Sequence, residues 1–331
     1  MKTPVCDLLG CAVPIVQAGM GGVARSELVA AVAQAGGYGL LGMVREKPEL
    51  IRKEIRAVRA RTDRGFGVNL IPYGTDPSLL EEELAACFEE RVDSLCFFWE
   101  VRPDLIRRAK AAGCKLLYQV GRLEDAIAAE RAGADAVICQ GSEAGGHVHG
   151  TVSSLVLLPQ VARAVSVPVI ASGGFASGSS LVAALALGAQ AIHCGTAFLA
   201  TEESFAHESH KRRVVEAASE DTVYTDIFAI NWPPSSPVRA LRNSVTDSWQ
   251  GDWLGHGPDD FPRTQVAEEE GRPVYRFSTD SPLRNMTGDL EQLAQFAGQS
   301  CGLVDRVRPA AELVASIMAE AQEVLARLNP R

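Results

Sequence analysis

Two histidines lie close together in a glycine-rich segment, GSEAGGHVHG, which covers residues 141–150. The segment contains four glycines and directly follows DAVICQ (135–140), an apolar run that predicts a buried strand. Only one residue separates His147 from His149. An imidazole can bind a metal ion, transfer a proton near neutral pH, or serve as a polar loop side chain. Glycines leave room for a bound molecule beside such a ring.

A metal site at this pair of histidines needs a third protein ligand. The other histidines of the chain form no recognisable ligand pattern with the pair; they are His193, His207, His210 and His256. We therefore expect no metal ion and interpret the pair as a proton-handling site. His147 is closer to the end of the strand and directly follows two glycines. We predict that His147 is the catalytic residue and that His149 lies at the rim of the pocket.

A second glycine-rich turn begins at Ser172, after an apolar run, and precedes a segment of helical period. The amides of Gly173 and Gly174 are not shielded by a Cβ, so they can approach an anion closely. The following helix adds the positive end of its dipole. Gly195 and Thr196 follow the next apolar run in the same way. Two such turns late in the chain predict a phosphate-binding site.

Small and polar residues end the earlier apolar runs. Ala18, Gly19 and Met20 follow the first run and offer backbone atoms and one soft side chain to a flat ring. Asn69 and Gln119 end two further runs, and their amide groups both donate and accept hydrogen bonds, which suits the edge of a heteroaromatic ring. A strand-end amide also forms ordinary loop hydrogen bonds, so these residues are informative only as a set.

The elements that must position these residues alternate along the first two thirds of the chain. Eight apolar runs, typical of parallel strands covered on both faces, are separated by segments of helical period. Glycine closes several helical segments, as in KAAGCK and ERAGADA. We predict an α/β fold, a (β/α)8 TIM barrel, rather than an open doubly wound sheet, because the most elaborate glycine turns follow the last three strands. The predicted strands cover residues 13–16, 38–43, 66–70, 92–98, 115–119, 135–140, 168–172 and 191–195.

The pattern changes after about residue 200. Residues 231–263 are rich in Pro, Trp, Asp and Ser and have no sustained period, but their aromatic residues argue against a disordered linker. We predict that residues 1–215 and 290–331 form the barrel. Residues 216–289 are predicted to form an inserted smaller domain that covers the barrel mouth and binds substrate. The last amphipathic segment predicts a helix that returns to the barrel wall.

Composition excludes several classes of protein. The net charge is −9 and no Lys/Arg-rich run occurs, which argues against binding to nucleic acid. No apolar run is long enough to cross a membrane, and the start MKTPVCDLLG lacks the apolar core of a signal peptide. The eight cysteines contain no CxxC pair, which indicates buried thiols in a reducing compartment. We expect a soluble, cytoplasmic protein.

Together these motifs resemble the nitronate monooxygenase family, formerly called 2-nitropropane dioxygenases. The resemblance covers about residues 13–215 and 290–331, and five stretches carry it: PIVQAGMGG, GFGVNL, CQGSEAGGH, PVIASGGFASGSSLVAALALGAQAIHCGTAFLAT and AGQSCGLV. It implies a barrel that binds FMN non-covalently, with His147 in the position of the catalytic histidine. The implied phosphate contacts are Ser172, Gly173, Gly174, Gly195 and Thr196. The implied contacts of the flavin ring are Ala18, Gly19, Met20, Asn69, Gln119, Ala144 and Gly145.

The resemblance implies oxidative denitrification of a small alkyl nitronate with O2, by a chain that forms homodimers. FMN-dependent enoyl-acyl carrier protein reductases and NAD(P)H:quinone reductases carry a similar loop, so reduction of quinones or enoyl thioesters is an alternative. A non-catalytic barrel that binds FMN or phosphate is a third. Two departures from the family pattern leave the substrate open. Trp99 and Glu100 replace a small turn after the fourth strand, and residues 216–289 match the usual second domain poorly.

Overall fold

A closed barrel of eight parallel strands forms the centre of the molecule. The computed structural model describes residues 1–329. The strands are β1 Ile15–Gln17, β2 Tyr38–Gly42, β3 Gly67–Leu70, β4 Ser94–Phe98, β5 Lys115–Val120, β6 Ala136–Gln140, β7 Gly146–His147, β8 Val169–Ser172, β9 Ala191–Cys194, β10 Thr222–Thr225, β11 Val238–Leu241, β12 Gln265–Glu269, β13 Arg272–Tyr275 and β14 Met286–Gly288. The barrel order is β1–β2–β3–β4–β5–β6–β8–β9, and β9 pairs with β1 to close it.

Helices follow the barrel strands and cover their outer faces. The α-helices of the described residues are α1 Pro4–Leu9, α2 Ser26–Gln34, α3 Pro48–Arg59, α4 Pro77–Glu89, α5 Pro103–Ala111, α6 Leu123–Ala132, α7 Ser154–Ala164, α8 Gly178–Ala186, α9 Thr196–Leu199, α10 Glu208–Glu216, α11 Ser244–Ser248 and α12 Ala310–Leu328, of which α2 to α9 follow the barrel strands. The predicted TIM barrel is confirmed, and each predicted strand forms part of it with ends that shift by only a few residues. The short helix α9, directly after the last barrel strand, was not predicted.

Helix α1 was not predicted from the sequence either. Pro4 occupies its first turn, and Gly10 ends it in the left-handed conformation with a φ of 72°. The buried side chains of Val5, Cys6 and Leu9 pack against the inward side chains of the barrel strands. The helix therefore plugs the N-terminal end of the barrel, which leaves the C-terminal end as the place where a ligand can enter.

Residues 216–289, for which we predict an inserted domain, contain two small sheets. One has the order β10–β11–β7, and the other has the order β13–β12–β14. The first sheet takes its third strand, β7, from the loop after barrel strand β6. Beyond the insertion, Phe296 forms a further bridge with Ala240. The segment is therefore tied closely to the barrel, and its division into a separate domain stays a prediction.

The eight cysteines are all buried and unpaired in the structure. Burial raises the pKa of several of these thiols, for example those of Cys139 and Cys194, to about 12. A thiol with so high a pKa is a poor nucleophile at neutral pH. These cysteines serve as small apolar core residues.

No helix within residues 1–329 combines the length and the apolar character that a membrane span requires.

The C-terminal helix α12 packs against α8, the helix that follows the glycine turn at residues 173–174. Glu320 of α12 accepts hydrogen bonds from the backbone amides of Gly178 (2.8 Å) and Ser179 (3.0 Å). A Cβ at Gly178 would overlap the backbone of α12 at Ile317 and Ala321. The start of α8 therefore requires glycine for close packing rather than for an unusual backbone angle.

We expect Gly178→Ala to destabilise the protein by about 1–3 kcal/mol, because the added methyl group forces α12 away from α8. Urea unfolding followed by circular dichroism measures the change. Gly65→Ala is the matched control, since a Cβ there would have no neighbour closer than 3.6 Å. Equal stabilities of the two variants would contradict the packing argument.

Candidate active site

A large cavity of about 840 Å³ opens at the C-terminal ends of the barrel strands. Its wall includes His147 and every residue that we predicted to contact a cofactor: Ala18, Gly19, Met20, Asn69, Gln119, Ala144, Gly145, Ser172, Gly173, Gly174, Gly195 and Thr196. The fold thus brings together residues that are separated by up to 178 positions in sequence, from Ala18 to Thr196. What they bind stays a prediction at this point.

The turn after β8 has the backbone conformation that its glycines suggest. Gly173 and Gly174 have φ angles of 90° and 81°, which residues other than glycine rarely adopt. A Cβ at Gly174 would also lie 3.3 Å from the side chain of Glu143. The turn therefore presents a bare backbone to the cavity.

The loop after β6 lies against a segment from far along the chain. A Cβ at Gly145 would overlap the backbone of Ala297 and Gly298. The amide of Gly298 in turn donates to the hydroxyl oxygen of Thr196 at 2.9 Å. The segment at 297–298, part of the AGQSCGLV stretch, therefore ties the loop after β6 to the loop after β9.

Amide side chains at the strand ends form hydrogen bonds that fix the neighbouring loops. Asn69 donates to the carbonyl oxygen of Gly19 at 3.1 Å, which fixes the loop after β1 and leaves the amide oxygen of Asn69 available. Gln140, which the sequence analysis did not single out, donates to the carbonyl oxygen of His147 at 2.9 Å. Its own oxygen accepts from the amide of His149. Gln140 thus positions the backbone on both sides of Val148.

A second histidine lies on the cavity wall beside the glycine turn. The Nδ1 atom of His193 lies 2.9 Å from the hydroxyl oxygen of Ser172, and its Nε2 atom is buried without a hydrogen-bond partner among residues 1–329. Burial lowers the pKa of His193 to about 4. The sequence analysis considered His193 only as a metal ligand, because a histidine inside an apolar strand gives no sign of which way it faces.

His147 is held in place by both backbone and ring contacts. It pairs with Val238 across β7 and β11. Its ring stacks on Trp232 with 4.0 Å between the ring centroids, and the ring of Trp99 meets it edge-on at 6.2 Å. The Nε2 atom is buried and has no hydrogen-bond partner within the described residues. Such a nitrogen is free to bind a ligand.

The electrostatic surroundings keep the imidazole of His147 neutral. Burial, with a further contribution from the positive charge of Arg45, lowers the pKa of His147 to about 3. The ring therefore carries one N–H donor and one acceptor nitrogen at neutral pH.

His149 does not lie at the rim of the pocket, where we expected it. Its side chain is only 11% exposed, and its ring packs at 4.7 Å from the ring of Trp99, behind the cavity wall. Burial lowers the pKa of His149 to about 4. Its amide donates to Gln140, and its Nδ1 lies 3.4 Å from the carboxylate of Asp125 in α6, so these contacts hold the residue away from the cavity mouth.

Neither of the two bulky residues after β4 lines the cavity, but Trp99 contacts the ring of His147. Trp99 is buried in a left-handed conformation with a φ of 83°, and it stacks on Tyr73 at 5.4 Å. Glu100 is exposed. Trp99 and Tyr73 therefore form an aromatic layer that supports both histidines from behind.

A closed parallel barrel with a cavity at the C-terminal ends of its strands is the architecture of TIM-barrel enzymes. The family model for nitronate monooxygenase matches residues 2–320. The chain belongs to the nitronate monooxygenase family, as the sequence motifs predicted, and it is an oxidoreductase.

Proteins that carry several different names are similar to this chain. The chain is 31% identical to a nitronate monooxygenase of Paraburkholderia phytofirmans, over 99% of this chain and 97% of the relative. It is 39% identical to (3aS,4S,5R,7aS)-5-hydroxy-7a-methyl-1-oxo-octahydro-1H-indene-4-carboxyl-CoA dehydrogenase of Mycobacterium tuberculosis, over 75% of this chain and 68% of the relative. Among solved structures, FabK from Thermotoga maritima superimposes with a TM-score of 0.84 at 33% identity, over 99% of this chain and 98% of that chain.

Because several histidines are buried and neutral, we expect the free energy of unfolding to decrease as the pH falls. A histidine whose folded pKa lies below its unfolded value of about 6.5 binds a proton more readily in the unfolded chain, so its contribution is complete above pH 6.5 and is lost as the pH falls toward the folded pKa. His193 and His210 are both buried, with folded pKa values of about 4 and about 3. As the pH falls through this window, each of these two histidines lowers the free energy of unfolding by up to ~1.4 kcal/mol per pH unit.

We therefore expect the free energy of unfolding to fall between about pH 6.5 and about pH 4, and the slope to be shallower in His193→Gln and in His210→Gln. Urea unfolding at a series of pH values measures the slope. Identical slopes in the wild-type protein and both variants would show that these histidines titrate normally.

Proposed function

We propose that this protein is an FMN-dependent oxidoreductase that oxidises alkyl nitronates with O2 to a carbonyl compound and nitrite. One observation carries the proposal. A neutral histidine, His147, with an unpartnered buried Nε2 lies on the same cavity wall as two glycine turns suited to a phosphate. Membership of the nitronate monooxygenase family supports it.

The residues on the wall fit FMN. The bare backbone at Gly173 and Gly174, in a conformation that excludes side chains, is suited to a phosphate, and the residues expected to share that contact are Ser172, Gly195 and Thr196. The ring is expected to lie against Ala18, Gly19, Met20, Asn69, Gln119, Ala144 and Gly145. Bound FMN would supply one- and two-electron redox chemistry that no side chain provides.

The chain's own residues bind the substrate and control protons. The neutral imidazole of His147 donates a hydrogen bond to an oxygen of the nitronate, or accepts the α-proton if a neutral nitroalkane enters. Its low pKa favours the first role, because a weak base removes a carbon-bound proton slowly. The rings of Trp232 and Phe296 near His147 restrict water at the reacting carbon.

A second candidate is oxidation or reduction of acyl thioesters. It is favoured by the 39% identity to the carboxyl-CoA dehydrogenase, which is higher than the 31% identity to the nitronate monooxygenase. The residues proposed to hold FMN serve both reactions equally, so the cavity wall does not distinguish them. The two candidates differ in the reductant that the purified protein accepts.

We expect Gly174→Ala to weaken FMN binding by at least about tenfold, because the Cβ strains the turn and enters the space of the phosphate. Titration of FMN fluorescence measures the dissociation constant. Gly113→Ala is the matched control, since Gly113 has a similar φ of 84° but lies outside the cavity with nothing near its Cβ. A wild-type protein that binds no FMN would refute the cofactor assignment.

We expect anaerobic wild-type protein loaded with FMN to be bleached by propionate 3-nitronate, and His147→Gln to keep FMN but to lose about 100-fold or more of kcat/KM. Flavin absorbance follows the reduction, and nitrite release follows turnover. Bleaching by an acyl thioester, or bleaching by NADH or NADPH that an enoyl thioester then reverses, with none by the nitronate, would replace the nitronate proposal with the thioester candidate.

A further inference from the structure

Arg45 stands on the cavity wall in an unusual setting. It follows β2 in a left-handed conformation, with a φ of 59°. Its Nε donates to the carbonyl oxygen of Gly74 at 2.6 Å, and its guanidinium carbon lies 4.4 Å from the ring centre of Trp232. These contacts fix the side chain. They also commit the Nε–H donor, so the N–H groups of the two Nη atoms are left for other partners.

No carboxylate among residues 1–329 forms an ion pair with Arg45. The cavity wall does contain carboxylates, but other groups hold them: Glu46 pairs with Arg25, Glu27 with Arg284, Glu269 and Asp280 with Arg272, and Glu54 accepts from the amide of Ser26. The remaining one, Glu270, is exposed. Arg45 therefore brings an unneutralised positive charge to the wall.

Two acids act on the charge of Arg45: Asp280, which is already paired with Arg272, and Glu83. Glu83 is fully buried beneath the same loop, and burial raises its pKa to about 8. Its carboxyl group is therefore largely protonated at neutral pH. The cost of half-burying Arg45 without a counter-ion is reflected in its own pKa, which burial lowers to about 10. A charge held at such a cost is expected to serve a ligand.

Arg45 and His147 share one aromatic platform. The ring of Trp232 stacks on His147 at 4.0 Å and lies under the guanidinium of Arg45. The residue before it, Asn231, also lines the cavity and has a φ of 72°. Unusual backbone conformations at both Arg45 and Asn231 are typical of positions constrained for function.

We propose that Arg45 is the substrate's anion-binding residue and that its Nη groups bind the two oxygens of a planar oxyanion, a nitronate or a carboxylate, beside His147. This inference rests on the proposed function in one respect: the anion that Arg45 binds is taken to be part of the substrate. The planar fork of a guanidinium matches such a group with two parallel hydrogen bonds. Arg45 then selects the nitronate anion over the neutral nitroalkane.

The test compares FMN-loaded wild-type protein with Arg45→Met and Arg45→Lys. Arg263→Met is the matched control, because Arg263 stacks on Tyr275 at 5.7 Å outside the cavity. Isothermal calorimetry measures the binding of nitrate, a planar mimic of the nitronate group, and of acetate, a carboxylate. Steady-state assays measure kcat and KM for ethyl nitronate and propionate 3-nitronate.

In Arg45→Met we expect the nitrate Kd and the KM for ethyl nitronate to rise by about 10- to 100-fold, with a smaller change in kcat. Arg45→Lys recovers part of the affinity, and Arg263→Met is unchanged. If acetate binding and the KM for propionate 3-nitronate alone respond, the anion on Arg45 is the distal carboxylate, which still supports the proposal.

Unchanged Kd values for both anions in Arg45→Met would overturn the inference, as would a loss of FMN affinity without a loss of anion affinity. An absence of anion binding to the wild-type protein would overturn it as well. These outcomes differ from failure of the proposed function, in which no nitronate is oxidised although anion binding still depends on Arg45.

Discussion

The short pairing between β7 and β11 is the interaction on which the candidate site depends. It joins Gly146 and His147, from a loop of the barrel, to Val238 and Arg239 of the insertion. Because this pairing fixes the backbone of His147, the ring can stack on Trp232, which the insertion also supplies. Without residues 216–289, the loop would keep its glycines but lose the partners that orient the histidine. The barrel and the insertion therefore build one site together.

Desolvation governs the chemistry of the cavity wall. The same burial lowers the pKa values of His147, His193 and Arg45 and raises that of Glu83. The neutral form is favoured at both histidines and at Glu83, while Arg45, with a pKa of about 10, stays charged at neutral pH. One fixed positive charge beside a neutral imidazole gives a site that attracts an anion and does not supply a strong acid. That combination suits a substrate that arrives already deprotonated.

Relatives with different names share this fold, so the fold does not set the substrate. The wall outside the proposed flavin contacts is the part of the site that a substrate would meet. Trp99 packs behind both histidines of the loop, while Trp232 and Arg45 line the cavity itself. Trp232 and Arg45 lie where a substrate would meet the proposed cofactor. Differences among family members in what they oxidise are expected to reside in such positions.

The sequence by itself determined the barrel, its strands and the residues that meet at its mouth, because strand periodicity and glycine turns are local properties of the chain. The sequence motifs also predicted the family, which the family model confirms, and they singled out His147 as the candidate catalytic residue. The sequence could not reveal helix α1, whose six residues carry no repeating period, or the inward turn of Trp99. The partners of His147 and the free charge of Arg45 were decided by tertiary structure alone. Stacking, burial and the absence of a counter-ion arise only when segments such as 45, 147 and 232, far apart in sequence, are brought into contact.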